Sequence, residues 1–230
     1  MLIWTPDTVR FQRDAAQYGT YHKTLAKHLA AYLPPDAHVC DAGCGLGDLS
    51  RALAPYCKRV TAIDSSAMAL AVLRQDTPKN VEICEADLFT LSPDVQYDAM
   101  VFCFFAAMDD TLLLAKKHCR GKVLVVKRGW TQHRFSLAPV PIQRYTSRET
   151  EQYLRERGIP FAHETLLLDM GQPFRSGADA MRFFAAYGSA PVAFSDVEAR
   201  LVKTGDAAFP YYLPQEKPLG IFIFDAKEIP

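Results

Sequence analysis

His38-Val39-Cys40-Asp41-Ala42-Gly43-Cys44-Gly45-Leu46-Gly47-Asp48 reads as a short, mostly apolar strand running into a turn with glycine at every second position. A helix candidate, Asp48 to Tyr56, follows at once. Strand, tight glycine turn and helix in that order are the context in which such a turn receives a ligand. Glycine suits it for two reasons: the backbone must enter conformations closed to a residue with a Cβ, and a ligand must approach the main chain within contact distance.

Working outward, apolar runs and helical segments alternate over the first two thirds of the chain. The strand candidates are His38 to Ala42, Arg59 to Asp64, Val81 to Ala86, Tyr97 to Phe104 and Gly121 to Lys127. Each is short and apolar, as a strand covered on both faces should be. Upstream, Tyr21, Leu25, His28, Leu29 and Tyr32 recur at helical spacing before Pro34-Pro35 stops them. Downstream, Thr146 with Glu149 fits a capping box, and Gly158 and Pro160 end that helix. Phe161 to Asp169 and Leu219 to Ala226 read as two further strands, too far apart for a hairpin. Between them lie a helix candidate, Gly177 to Tyr187, and an aromatic tail with Phe209, Tyr211 and Tyr212. The expected organisation is one α/β domain over residues 1–230. It has an N-terminal helical segment at 8–33 and an insertion at 171–216 that is either a substrate cap or an excursion packed on the sheet edge.

Acidic residues recur at the carboxyl ends of successive strands, the edge where open α/β sheets bind ligands. Asp64 closes the second strand, 21 residues beyond Gly43, and can accept from both ribose hydroxyls of an adenosine-type ligand. Asp87 follows the third strand in Glu85-Ala86-Asp87. The alternative for Asp64 is a helix cap.

Together, Asp41-x-Gly43-x-Gly45-x-Gly47, Asp64-Ser65-Ser66-Ala67-Met68 and Ala86-Asp87-Leu88 resemble the three cofactor motifs of class I methyltransferases that use S-adenosylmethionine (SAM). Arg13-Asp14-Ala15-Ala16-Gln17-Tyr18 is similar to the segment preceding the domain in the small-molecule members. The resemblance covers roughly residues 10 to 130. It implies a three-layer, doubly wound Rossmann-like sheet of seven strands, ordered 3-2-1-4-5-7-6 with the last strand antiparallel. It also implies that Gly43 and Gly45 underlie the methionine part of SAM with Asp41 bracing the turn, and that Gly47, Ser65, Ala86, Leu88 and Phe102 line the cofactor site. Asp64 would take the ribose, Met68 one face of adenine and Asp87 its amino group. Tyr18 would close over the cofactor. Met68 as core filler and Tyr18 as a packed helix residue are the bland alternatives.

The stretch after strand four, Phe102-Cys103-Phe104-Phe105-Ala106-Ala107-Met108, is apolar. It lacks the Asn/Asp-Pro-Pro-Tyr/Phe signature of amino-group methyltransferases and the Pro-Cys nucleophile of the cytosine-C5 kind. The polar candidates come later: Lys127, Arg128, His133, Arg134, Arg144 and Tyr145, with His133 or Tyr145 as the base. Solvated surface is the alternative for the Lys and Arg residues.

Lys plus Arg equals Asp plus Glu at 26 each, so bulk charge gives no reason to expect a nucleic-acid or membrane partner. A small-molecule substrate is the expectation. The six cysteines show no CxxC spacing, which favours reduced thiols in a cytoplasmic setting and no metal site. No basic start followed by an apolar core marks a signal peptide. The longest apolar stretch, Ala99 to Met108, is half the roughly 20 residues a membrane span needs. Competing readings are a SAM-binding protein without transfer activity, a methyltransferase acting on RNA or protein, and a nucleotide-dependent oxidoreductase. The last is disfavoured by GxGxG in place of GxGxxG.

Overall fold

The apolar runs on either side of the glycine turn become neighbouring parallel strands. The strands β1 (His38–Ala42), β2 (Arg59–Asp64), β3 (Val81–Glu85), β4 (Tyr97–Cys103), β5 (Cys119–Arg128), β6 (Ala162–Asp169) and β7 (Glu216–Asp225) form one sheet. Their order is β3-β2-β1-β4-β5-β7-β6, the order the resemblance implies. Strands β1 to β5 pair in parallel. The last strand, β7, runs antiparallel to β5, from Leu219 opposite Arg128 to Asp225 opposite Lys122. The structure, a computed structural model, describes residues 4–132, 135, 140–141, 146–188 and 192–230.

In chain order the helices are α1 (Pro6–Tyr18), α2 (Tyr21–Ala30), α3 (Asp48–Leu53), α4 (Ala67–Leu73), α5 (Met108–His118), α6 (Ser147–Glu156), α7 (Gly177–Tyr187) and α8 (Phe194–Glu198). Helix α3 is shorter than expected. Pro55 lacks the amide proton needed to continue it, and Ala54–Tyr56 tightens into a 3-10 turn. Both arms of the capping box form at α6: Thr146 Oγ1 accepts from the Glu149 amide, and Glu149 Oε2 accepts from the Thr146 amide. Its other end is a Schellman motif. Gly158, at φ 65°, donates to the Arg155 carbonyl and Ile159 donates to that of Leu154. Strand β4 stops one residue earlier than expected because Phe104 leaves the extended region for φ 54°.

The chain divides into two compact units. The larger comprises His22–Gly129, Arg144–Leu166 and Leu219–Pro230 and holds the body of the sheet. Its centre is fully buried: Val39, Cys40 and Ala42 of β1, Ala99 to Phe102 of β4 and Val123 to Val126 of β5 all show 0% exposure. Consecutive residues point to opposite faces of a strand, so such runs require cover on both sides.

The smaller unit comprises Met1–Tyr21, Trp130–Gln143 and Leu167–Pro218, so most of the expected insertion and α1 belong to it. It has its own antiparallel sheet, in which Tyr211–Leu213 pairs with both Gln172–Phe174 and Val202–Lys203. It also has its own core of Phe11, Phe174, Ala180, Phe183, Phe184, Val197 and Leu213. The Phe11 and Phe183 rings meet edge to face at 5.1 Å. Beside them lies an ionic network in which part-exposed arginines surround two buried carboxylates. Asp179 accepts from Arg10 at 2.6 Å and from Arg182 at 3.1 Å, while Asp14 accepts from Arg175 at 2.6 Å and Arg10 at 3.2 Å. Among the described residues, no helix is long and apolar enough to cross a membrane.

Candidate functional site

The site is built at the carboxyl ends of β1 to β5, in the larger unit. The turn after β1 is pinned to β2, because the amides of Gly43 and Cys44 both donate to the Ile63 carbonyl at 2.9 Å. Gly43, Gly45 and Gly47 take φ values of 69°, 56° and 74°. At Gly43 there is a second constraint: a Cβ would come within 2.2 Å of the Phe105 ring. At Gly47, the N-cap of α3, a Cβ would meet Leu73 of α4. Glycine at 43 therefore admits an aromatic wall, and glycine at 47 admits close helix packing.

Asp64 holds the turn from β2. Its Oδ2 accepts from the Gly45 amide at 2.8 Å and its Oδ1 from the Ser66 amide at 2.9 Å. The N-cap of α4 is Ser66, whose Oγ accepts from the Ala69 amide. Capping is thus done by the neighbour, and Asp64 is half-buried at the strand end. Asp41 is buried and accepts from Ser50 Oγ at 2.5 Å, which braces α3 against β1. Burial pushes the Asp41 carboxyl up to about 6, with the nearby Asp64 adding to the rise and the Ser50 hydrogen bond opposing it.

Next along the edge, Ser65 and Met68 are exposed at the start of α4, and the Ala86 amide donates to the Asp64 carbonyl at 3.1 Å. Asp87 is exposed and its Oδ1 accepts from the Phe89 amide at 3.0 Å, while Leu88 is buried. Met68 and Phe89, 48% and 44% exposed, are the large apolar side chains left open here. Phe102 lies wholly in the core. Tyr18 belongs to the smaller unit, where its ring packs on Phe209 at 5.7 Å and Tyr212 at 5.1 Å. His133, Arg134, Arg144 and Tyr145 lie outside the described residues.

After β4, Phe104 and Ala106 both adopt left-handed backbone, at φ 54° and 57°. Beneath them Lys127, at the end of β5, is 1% exposed rather than solvated. Its Nζ donates to the carbonyls of Ala106 at 2.7 Å and Phe105 at 3.2 Å. Burial lowers the ammonium to about 8, opposed by the Cys103 side chain and reinforced by Arg128. Neither the Phe105 contact with Gly43 nor the burial of Lys127 is evident from spacing. The available signal was the run Val123 to Val126, whose unbroken apolarity marks an interior strand and makes the lysine that ends it an interior lysine.

Chemically, the edge offers main chain without Cβ at a turn, carboxylates at the ends of β2 and β3, apolar side chains flanking them, and an apolar wall opposite. Comparison with known proteins agrees. Residues 39–120 match the model of a methyltransferase domain family. No curated protein matches the chain. Among solved structures, a proposed methyltransferase from Bacillus halodurans is similar with a TM-score of 0.53 at 14% identity, over 89% of this chain and 98% of that one. A proposed RNA methyltransferase from Pyrococcus horikoshii gives 0.52 at 15% identity over 90% and 82%. Magnesium protoporphyrin IX methyltransferase from Synechocystis, solved with bound S-adenosylhomocysteine (SAH), gives 0.50 at 14% over 96% and 89%. At such identities these structures speak for the fold, and the domain match speaks for the cofactor. With the sheet order, the glycine turn and the matched segment in agreement, residues 39–120 form the core of a class I SAM-dependent methyltransferase domain.

Proposed function

We propose that the protein transfers the methyl group of SAM to a small-molecule acceptor. SAM supplies a methyl group on a cationic sulfur, an electrophile that needs a nucleophile in line with the S–CH3 bond. The residues present fit it. Gly43 and Gly45 expose main chain in conformations a side chain would disfavour. Each Asp64 oxygen, after accepting one backbone amide, keeps a second lone pair for a ribose hydroxyl. Met68 would cover adenine, and Asp87 would accept from its amino group.

The observation that carries the small-molecule reading is the segment after β4. Cys103 to Met108 contains no carboxylate, amide or imidazole, and Phe104 is 42% exposed there. Such a wall holds an acceptor by apolar contact and orients it. Orientation can lower a barrier by about 7 to 11 kcal/mol in well-aligned systems. An oxygen, carbon or protonated amine acceptor also needs a base, for which His133 and Tyr145 stand as the candidates. Balanced charge favours a small acceptor over RNA, although one structural neighbour is a proposed RNA methyltransferase and another acts on a porphyrin. The reducing, cytoplasmic setting expected from the scattered cysteines belongs to the same proposal.

Incubation with methyl-labelled SAM and separated metabolite, RNA and protein fractions tests this reading. Label is expected in the metabolite fraction; label confined to RNA or protein overturns it. SAM binding without transfer in any fraction would favour the second reading that the apolar wall supports, a SAM-binding protein without activity. Once an acceptor is known, His133→Ala with undiminished turnover would remove His133 as base. Asp64→Ala is expected to weaken SAH by about 1.5 to 3 kcal/mol, roughly 10- to 150-fold, as measured by calorimetry. Unchanged affinity would restrict Asp64 to tethering Gly45 and Ser66.

A further inference from the structure

Lys127 is a cation in the interior, which is costly unless its protons find acceptors. Among the described residues its acceptors are two backbone carbonyls, those of Phe105 and Ala106, and no carboxylate pairs with it. These carbonyls converge on Nζ because Phe104 and Ala106 both take left-handed backbone, a conformation that costs an L-residue free energy and persists only where surrounding contacts impose it. The same fold of the loop sets the Phe105 ring against Gly43, stacked at 6.4 Å over Phe102 and 6.5 Å from Phe89. Ammonium, loop and ring thus form one chain of contacts that ends on the first glycine of the turn.

We propose that Lys127 is a positioning residue for the methyl-donor end of the cofactor site, its buried ammonium holding the Phe104–Ala107 loop so that the Phe105 ring stands as a wall against Gly43. The inference rests on the SAM reading of the turn. It adds that cofactor affinity depends on the charge of a lysine that need not touch the cofactor. Removing that charge weakens both bonds, because a neutral amine keeps two N–H donors for the two carbonyls but loses the charge assistance that strengthens them, and the two left-handed residues are held less firmly. The wall then loses its fixed place.

The lysine titrates in an accessible range, so charge can be removed without mutation. The groups that bear on Nζ are Cys103 at the end of β4 and Arg128 beside it on β5. With the protonated form binding better, affinity for SAH starts to fall as pH rises through about 8.

The test is calorimetric titration of the full-length protein with SAH at pH values from about 6.5 to 9.5, alongside Lys127→Met, Lys127→Arg and Cys103→Ser. The wild type is expected to lose roughly tenfold in affinity across that range, the size of one charge-assisted hydrogen bond. Lys127→Met should be weak and flat. Lys127→Arg, always charged, should lack the slope, and Cys103→Ser should keep it. The ligand's own amino group titrates alike in all four proteins, and its contribution, fixed by titrating free SAH, is subtracted from every profile before the slopes are compared. A flat wild-type profile, a slope that survives in Lys127→Arg, or one lost in Cys103→Ser overturns the proposal. Should Lys127→Met not fold, the wild-type and Lys127→Arg profiles decide alone. A wild type that binds SAH with no slope sinks this inference and leaves the SAM reading standing; a wild type that does not bind SAH sinks both.

Discussion

Gly43→Ala is expected to lose about 2 to 5 kcal/mol of stability in urea unfolding and to weaken SAH binding by more than roughly tenfold. Two effects add at this position. A Cβ in the left-handed region costs about 1 to 2 kcal/mol, and displacing a packed ring costs about 1 to 3 kcal/mol. Gly158 separates them, since it has φ 65° but nothing within 4 Å of where its Cβ would lie. Gly158→Ala should therefore show the conformational cost alone. Equal losses in the two variants would mean that the Phe105 ring does not press on Gly43, and the wall described after β4 would have to be abandoned.

The second large effect is expected far along the chain, in the smaller unit. Asp179→Ala should lower stability by about 1.5 to 3 kcal/mol, because it removes the buried acceptor shared by Arg10, the Arg175 amide and Arg182, leaving Arg10 with Asp14 and, at 4.0 Å, Asp7. Burial alone would raise the Asp179 carboxyl. The hydrogen bonds from Arg10, the Arg175 amide and Arg182 outweigh it and hold the group below its ordinary range. The sign follows from that depression. The stabilisation is complete above the unfolded carboxyl pKa of about 3.9 and is lost as pH falls through the lower folded value. Acid unfolding of wild type and Asp179→Ala should thus converge at low pH. A variant within about 1 kcal/mol of wild type at neutral pH would mark the network as a surface cluster of little weight.

The parts of this fold legible in the sequence are those where local signals and burial agree. The β1 and β2 boundaries, the capping box at Thr146 and the Ser176-capped helix from Gly177 to Tyr187 each combine a punctuating residue with a buried stripe. The three short strands of the smaller unit were not legible. Val202–Lys203 is a two-residue, exposed strand, and Gln172–Phe174 contains a proline and pairs with Tyr211–Leu213, far along the chain. In the site, Asp41, Gly43 and Asp64 were legible because each sits at a strand end whose position apolar runs dictate. Lys127 reads from the sequence as a polar candidate at the strand end, with solvated surface as the alternative, and the structure buries it. Its charge suggested solvent, whereas the carbonyls that receive it come from a loop 21 residues earlier whose left-handed turns no local signal announces.

The central claim is that the turn at Gly43 serves an adenosyl sulfonium cofactor and not a dinucleotide. Calorimetric titration of the wild-type protein with SAH and, separately, with NADH tests it most directly. One-site binding of SAH with no heat from NADH is the expected result. Preferential binding of NADH would contradict the account.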